Sequence, residues 1–295
     1  MQVSASLLNH LQQQTGQDLS NHRLTRVGGG DINSAFQIKT QQINWFIKLN
    51  QASLAPMFTA EAAGLAEIES LQQVRVPKVI LSGTHENQAY LLLEFIELGP
   101  LRSISAGKFG EQLARLHQMP QAYFGWSIDN TIGSTPQYNQ QHADWPTFWQ
   151  QQRLGKQLEF AEKHGFKGEL QQKGQTLLSQ IPAFFTTYKP QPSLLHGDLW
   201  GGNVACDSFG NPVMFDPACY YGDRETDIAM TELFGGFSQE FYDAYQSTYP
   251  LDSGYKTRKS LYNLYHILNH LNLFGSGYLS QAHHLMDSLL TALKY

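Results

Sequence analysis

The residues of this chain best suited to chemistry lie in one run, Leu194-Leu195-His196-Gly197-Asp198-Leu199-Trp200-Gly201-Gly202-Asn203, closed thirteen residues later by Phe215-Asp216-Pro217. Transfer of a phosphoryl group to a hydroxyl needs a carboxylate to accept the hydroxyl proton. It also needs hard oxygen ligands to hold Mg2+ against the phosphates of ATP. Asp198 suits the base. Asn203 and Asp216 suit the metal ligands, because a hairpin between them, turning at residues 207–212, folds both back to one end. Asp, Asn and Gly are also common turn residues, and any one of them alone reads that way. The ordered set His-Gly-Asp-x4-Asn, then an apolar strand, then Asp, is much harder to obtain by accident.

Upstream residues complete a nucleotide site. Gly28, Gly29 and Gly30 sit between two predicted strands, where backbone amides could approach phosphates; alone, a triple glycine is an ordinary flexible turn. Lys48 follows Gly28 by twenty residues and could hold the α- and β-phosphates, although a lone strand lysine is more often solvated. Glu61 shares the apolar helix face of Leu65 and Ile68 at i, i+4 and i+7, which favours it over Glu67 and Glu69 as the partner of Lys48. Glu94, Phe95 and Ile96 match a hinge whose backbone groups would read the adenine edge. His196 reads as a brace of its loop, and Asp227 as a brace or a helix N-cap. Trp200 lines the acceptor side of the cleft or is a buried anchor. His117 reads as a satisfied core histidine, and Trp145 and Trp149 as packing on a helix.

The elements that must position these residues are legible in the hydrophobic periodicity. Residues 24–27, 35–40 and 43–49 read as three antiparallel strands, and alternation places Lys48 opposite the row of Trp45 and Ile47. Residues 58–71 read as a helix, and 79–81 and 88–95 as two further strands. Beyond them the chain reads as mainly helical, for example over 109–118, 145–158 and 261–273, with the hairpin at 203–216 as the exception. The expected fold is α+β: a protein-kinase-like two-lobed architecture with a small antiparallel-sheet lobe over residues 1–96 and a larger, mainly helical lobe over 97–295.

Glycine-rich loop, strand lysine, helix glutamate, catalytic loop and metal-binding aspartate together resemble the kinase signature. Two departures narrow the class. Gly197 stands where protein kinases carry an arginine that receives an activation-loop phosphate. Asp227 follows Asp216 by only eleven positions, with no Ala-Pro-Glu after it, so no long peptide-docking segment fits. The catalytic loop, Phe215-Asp216-Pro217-Ala218, Tyr220, Gly222-Asp223-Arg224-Glu225-Thr226-Asp227-Ile228-Ala229-Met230 and Phe234-Gly235-Gly236-Phe237 resemble the fructosamine kinase (ketosamine-3-kinase) family. So do Asn130-Thr131-Ile132-Gly133, Gln137, Asn139, Asp144-Trp145, Phe148, Arg153-Leu154 and Gln157, in a segment that separates this family from aminoglycoside and choline kinases. The resemblance implies ATP-dependent transfer to the O3 hydroxyl of a ketosamine, free or protein-bound, as a deglycation activity. The competing readings are another small-molecule kinase, for an aminoglycoside, choline or methylthioribose, and a nucleotide-binding pseudokinase scaffold. Competent residues at all five catalytic positions disfavour the scaffold.

Bulk composition agrees with that class. The 295 residues carry 41% hydrophobic content, enough for a substantial core, and 20 basic against 25 acidic residues for a net charge of -5. Such a balance, without a run of Lys or Arg, argues against nucleic acid as a partner. Apolar stretches are too short to span a bilayer, the first fourteen residues lack the regions of a signal peptide, and the expected setting is cytoplasmic. The only cysteines are Cys206 and Cys219, a reduced-compartment pattern. Some members of the family carry a cysteine beside the loop glycines; here Asp31 stands there, and repulsion from phosphates suggests that it caps the loop rather than facing inward. Oxidant should therefore not lock activity through that loop. Reversible thiol-dependent inactivation that persists in a Cys206→Ser/Cys219→Ser variant could not come from a cysteine of this chain and would require a different account of its regulation.

Overall fold

Period-two alternation organises the first lobe. In the computed structural model, which describes residues 1–28 and 32–294, five antiparallel strands form one sheet in the order β1-β2-β3-β5-β4. They are β1 (Arg23–Val27), β2 (Ser34–Lys39), β3 (Asn44–Gln51), β4 (Val79–His85) and β5 (Gln88–Glu94). Gly29, Gly30 and Asp31 lie outside the described residues. One face of the sheet, carrying Ile38, Trp45, Ile47, Leu49, Tyr90 and Leu92, packs with Leu7 and Leu11 of helix α1 (Ala5–Thr15). Ser4 caps that helix by accepting from the Leu7 amide at 3.1 Å, and Gly16 ends it in the left-handed conformation.

The opposite face carries Leu91 and Leu93 and meets helix α2 (Ala55–Ser70) through Phe58, Leu65 and Ile68. Lys48 projects from β3 on this side and is buried at 6% exposure, as the alternation requires. The apolar core then continues from α2 into the helices that follow Glu94. Helix α3 (Ser103–His117) packs against a later helix, α8 (Gln239–Thr248), and the buried spine of this part is α9 (Tyr255–Phe274).

Between these helices the structure corrects the sequence reading in two places. The helix expected over 145–158 is instead α4 (Trp145–Phe148), a π-helical turn (Trp149–Leu154) and α5 (Gly155–Lys163). Trp149, Gln152, Arg153 and Leu154 are all buried there, so Leu154 joins the i, i+3 and i+4 face that a regular helix would already present. The helical region also holds more strand than expected: a hairpin of β6 (Asn130–Ile132) and β7 (Thr135–Gln137), and a pairing of β8 (Ser193–Leu195) with β11 (Tyr220–Gly222). Three-residue strands are too short to show an alternation. The expected hairpin between Asn203 and Asp216 is present as β9 (Val204–Cys206) and β10 (Pro212–Met214). Helices α6 (Glu169–Gln180), α7 (Glu225–Leu233) and α10 (Leu279–Ala292) complete the chain, and no helix among the described residues is long and apolar enough to cross a membrane.

Because Leu7 and Leu11 are fully buried against the sheet, truncating one should leave a cavity. Leu11→Ala should lower unfolding free energy by about 2–5 kcal/mol, read as a lower urea midpoint. An unchanged midpoint would mean that α1 does not close the sheet.

Candidate active site

Lys48 is the meeting point of three elements. Its Nζ donates to Glu61 Oε1 on α2 at 2.7 Å and to Asp216 Oδ1 just after β10. Burial alone would lower the ammonium pKa, but the charges of Glu61 and Asp216 outweigh it and hold the group above its ordinary value. Burial raises Glu61 in turn, against the pull of Lys48. Of the competing carboxylates, Glu67 bonds elsewhere and Glu69 is exposed. Asp216 adopts φ +57°, a left-handed conformation that Asp tolerates better than most residues. It keeps its side chain 47% exposed, so it faces the cleft while touching Lys48.

The loop after β8 presents Asp198. Asn203 donates from Nδ2 to the Asp198 carbonyl at 2.8 Å and to its Oδ2 at 3.3 Å. That use of the amide nitrogen leaves Asn203 Oδ1 without a donor among the described residues. Burial, with the charge of Asp216 second, pushes the Asp198 carboxyl up to about 7, while Asn203 opposes the shift. Two residues on, Trp200 is 41% exposed, its ring lying over Gly202. The buried-anchor reading is therefore overturned; the indole is exposed, two residues past Asp198.

Beneath this loop lies a buried brace. Asp227 Oδ2 accepts from the His196 amide at 2.8 Å, and its Oδ1 accepts from the Gly197 amide at 2.9 Å. Asp227 sits inside the first turn of α7 rather than ahead of it, so the N-cap reading is corrected. His117 is buried as expected, but it contacts this brace, with Nε2 at 3.3 Å from Asp227 Oδ2 and Nδ1 at 2.8 Å from the Tyr245 hydroxyl. Burial favours the neutral carboxyl of Asp227, yet His117, His196 and the Gly197 amide outweigh it and hold the carboxyl below its ordinary value. Burial also holds the His196 imidazole below its ordinary pKa. Its Nε2–H donates to the Phe215 carbonyl at 2.9 Å and its Nδ1 accepts from the Asp198 amide at 3.2 Å, so one imidazole ties the Asp198 loop to the segment carrying Asp216.

Gly197 explains the missing arginine. It has φ +81°, and a Cβ there would lie 2.1 Å from the Ala218 carbonyl oxygen. No side chain fits.

At the junction after β5, the Glu94 amide donates to the Lys78 carbonyl at 2.9 Å and the Phe95 amide to the Asn44 carbonyl at 3.1 Å. Of the three predicted hinge amides, only that of Ile96 has no backbone acceptor among the described residues. The Glu94 side chain is also engaged, accepting from Arg75 at 2.6 Å, a contact the sequence reading did not anticipate. Gly28 is exposed and is the one member of the glycine run among the described residues.

The largest omission of the sequence reading is the set of charged residues leading into Asp227, namely Asp223, Arg224 and Glu225, all of them buried. Asp223 accepts from the hydroxyls of Tyr188 and Tyr262, and Glu225 pairs with both Nε and Nη2 of Arg258 at 2.8 and 3.0 Å. Arg224 lies over the Tyr249 ring at 3.5 Å and donates to the Tyr249 and Pro250 carbonyls. Only a resemblance pointed to Asp223, Arg224 and Glu225; their side-chain partners lie up to 39 residues away in sequence.

The chain matches a family model described as fructosamine kinase over residues 3–292. It is 44% identical over 274 residues to a Vibrio parahaemolyticus protein named Probable ketoamine kinase, covering 90% of this chain and 92% of that one. It is 42% identical over 275 residues to the chloroplastic protein-ribulosamine 3-kinase of Arabidopsis thaliana, covering 92% and 84%. The crystal structure of a candidate fructosamine-3-kinase from Haemophilus somnus superposes with a TM-score of 0.88 at 30% identity, over 97% of each chain. An ADP-bound aminoglycoside phosphotransferase, 14% identical over 97% of each chain with a TM-score of 0.64, shares the fold alone. Lobe architecture, an extensive match and close relatives agree: this chain belongs to the fructosamine kinase family, with a protein-kinase-like fold and the activity of an ATP-dependent phosphotransferase.

Proposed function

We propose that this chain transfers the γ-phosphoryl group of ATP to the O3 hydroxyl of a ketosamine. The observation that carries the reading is the convergence of Asp198, Asn203, Asp216 and Lys48 in one cleft, each from a different position in the chain. Asp198, half-buried and held by Asn203, accepts the proton of the attacking hydroxyl. Lys48, held by Glu61, contacts the α- and β-phosphates. The Glu94 carbonyl and the Ile96 amide, two residues apart after β5, are the acceptor and donor for the adenine edge. Gly28 begins the glycine run whose backbone amides would approach the phosphates.

The donor set suits Mg2+. Asn203 Oδ1 and the Asp216 carboxylate are hard oxygens, and a magnesium ion shared with a nucleotide needs only one or two protein ligands. When bound, the ion supplies charge neutralisation at the β- and γ-phosphates.

On the acceptor side, exposed Trp200 offers an apolar face for the sugar beside the base. A ketosamine carries a carbonyl at C2, a substituted amine at C1 and a hydroxyl at C3. Phosphate at C3 leaves far more readily than hydroxide, and enolisation towards C1 can expel it, releasing the free amine. The names of the relatives support a ketoamine or protein-bound ribulosamine as the acceptor class, and the activity is then a repair of glycated amines.

Asp198→Ala should lower kcat by roughly 10²–10⁴-fold with ATP affinity largely kept; near-normal turnover would remove Asp198 as the base. Trp200→Ala should raise KM for the ketosamine about tenfold, the equivalent of roughly 1.4 kcal/mol of lost ring packing, with little change in KM for ATP. NMR mapping of the product on a panel of fructosamines, ribulosamines and erythrulosamines is decisive. Phosphate on any atom other than O3, or no ketosamine turnover, would reject the acceptor assignment.

A further inference from the structure

Glu67 is a helix carboxylate left without a part in the chemistry above, yet its surroundings are built around it. Its Oε2 accepts from Trp126 Nε1 at 2.7 Å and its Oε1 accepts from the Tyr221 hydroxyl. Both donors come from outside the sheet lobe, and their backbones are locked to each other. Gly125, beside Trp126, exchanges two hydrogen bonds with Tyr221, at 2.9 and 2.8 Å. Tyr221 in turn belongs to β11, where it pairs with Leu194 of β8, the strand that runs directly into the catalytic loop. Trp126 is 4% exposed, so its indole N–H has little access to water and depends on Glu67 as acceptor.

Three positions on α2, spaced three apart, therefore meet three parts of the site. Glu61 holds Lys48. Gly64 packs so closely on the segment after Asp216 that a Cβ there would lie 2.9 Å from Cys219 Sγ. Glu67 is gripped by Trp126 and Tyr221. A helix that swings or rotates away from the cleft must break the grip on Glu67 as it withdraws Glu61 from Lys48.

We infer that Glu67 is a positioning residue: clamped by Trp126 and Tyr221, it fixes α2 against the catalytic-loop strand and thereby keeps Glu61 on Lys48. The chain has no long activation segment to do this, and the clamp does it through contacts within the folded chain. The inference rests on the reading of Lys48 and Glu61 given under the proposed function.

The test is steady-state kinetics with ATP and a fructosamine acceptor for Glu61→Ala, Glu67→Ala, Glu67→Gln and the double variant Glu61→Ala/Glu67→Ala. Glu67→Ala should lower kcat/KM for ATP about tenfold, leaving KM for the ketosamine within about twofold, with Glu67→Gln intermediate because it keeps an acceptor oxygen. In the Glu61→Ala background, Glu67→Ala should add less than about a twofold loss, since a residue acting through Glu61 has nothing left to position. An equal loss in both backgrounds, or normal kinetics for Glu67→Ala, would overturn the inference. Normal kinetics for Glu61→Ala would instead reject the Lys48–Glu61 premise. Should Glu67→Ala fail to fold, Trp126→Phe and Tyr221→Phe each remove one hydrogen bond, keep an aromatic ring, and take its place in the same comparison.

Discussion

Burial of a single ammonium group organises this molecule. Lys48 lies almost entirely out of water, and an unpaired charge there would be prohibitive. Its two carboxylates come from elements that share no local sequence, Glu61 thirteen residues on and Asp216 a further 155 residues along. Satisfying the cation therefore demands that the sheet, α2 and the segment after β10 converge. Removing one carboxylate from such a group costs far more than the pair contributes, because the charge stays buried. The site geometry is consequently tied to the fold rather than added to it.

The catalytic loop is built on the same logic with the sign reversed. Asp227 is a buried anion, and the donors that satisfy it include the backbone amides of His196 and Gly197. Those amides precede Asp198, so satisfying the anion sets the path of the backbone into the base. His196 then spans from Asp198 to Phe215. Two buried charges of opposite sign thus place the two sides of the cleft, and the imidazole between them holds the sides together. Gly197 is where this tightness becomes visible, since the Ala218 carbonyl occupies the space of any side chain.

What the sequence could reveal follows from the range of each signal. Lys48 was legible because alternation along β3 assigns faces without knowledge of any partner, and Glu61 because helical periodicity does the same for α2. Asp198, Asn203 and Asp216 were legible because a hairpin relates them locally. Glu67 was not: its partners lie 59 and 154 residues away, and as a polar residue near a helix end it differs in no local way from exposed Glu69. The π-helical turn was equally hidden, because one wider turn inside a helical run leaves the segment reading as ordinary helix. Three-residue strands carry too little pattern to separate them from loops, so β6, β7, β8 and β11 went unread although β8 and β11 frame the catalytic loop.

The run from Asp223 to Asp227 shows why buried charge is the hardest feature to read and what it is for. Four charged residues in five would ordinarily mark a solvated turn, yet all are buried. Such pairs contribute little to stability once desolvation is counted, so their yield must be sought in placement. Arg258 on α9 holds Glu225 with two hydrogen bonds, Tyr188 and Tyr262 hold Asp223, and Arg224 is fixed over Tyr249. Apolar contacts could bury the start of α7 equally well, but they tolerate sliding by a fraction of an ångström. Directional bonds do not. The start of α7 is therefore locked in rotation as well as depth, and the residue that this lock aims is Asp227, whose two oxygens must meet two particular amides for Asp198 to stand in the cleft.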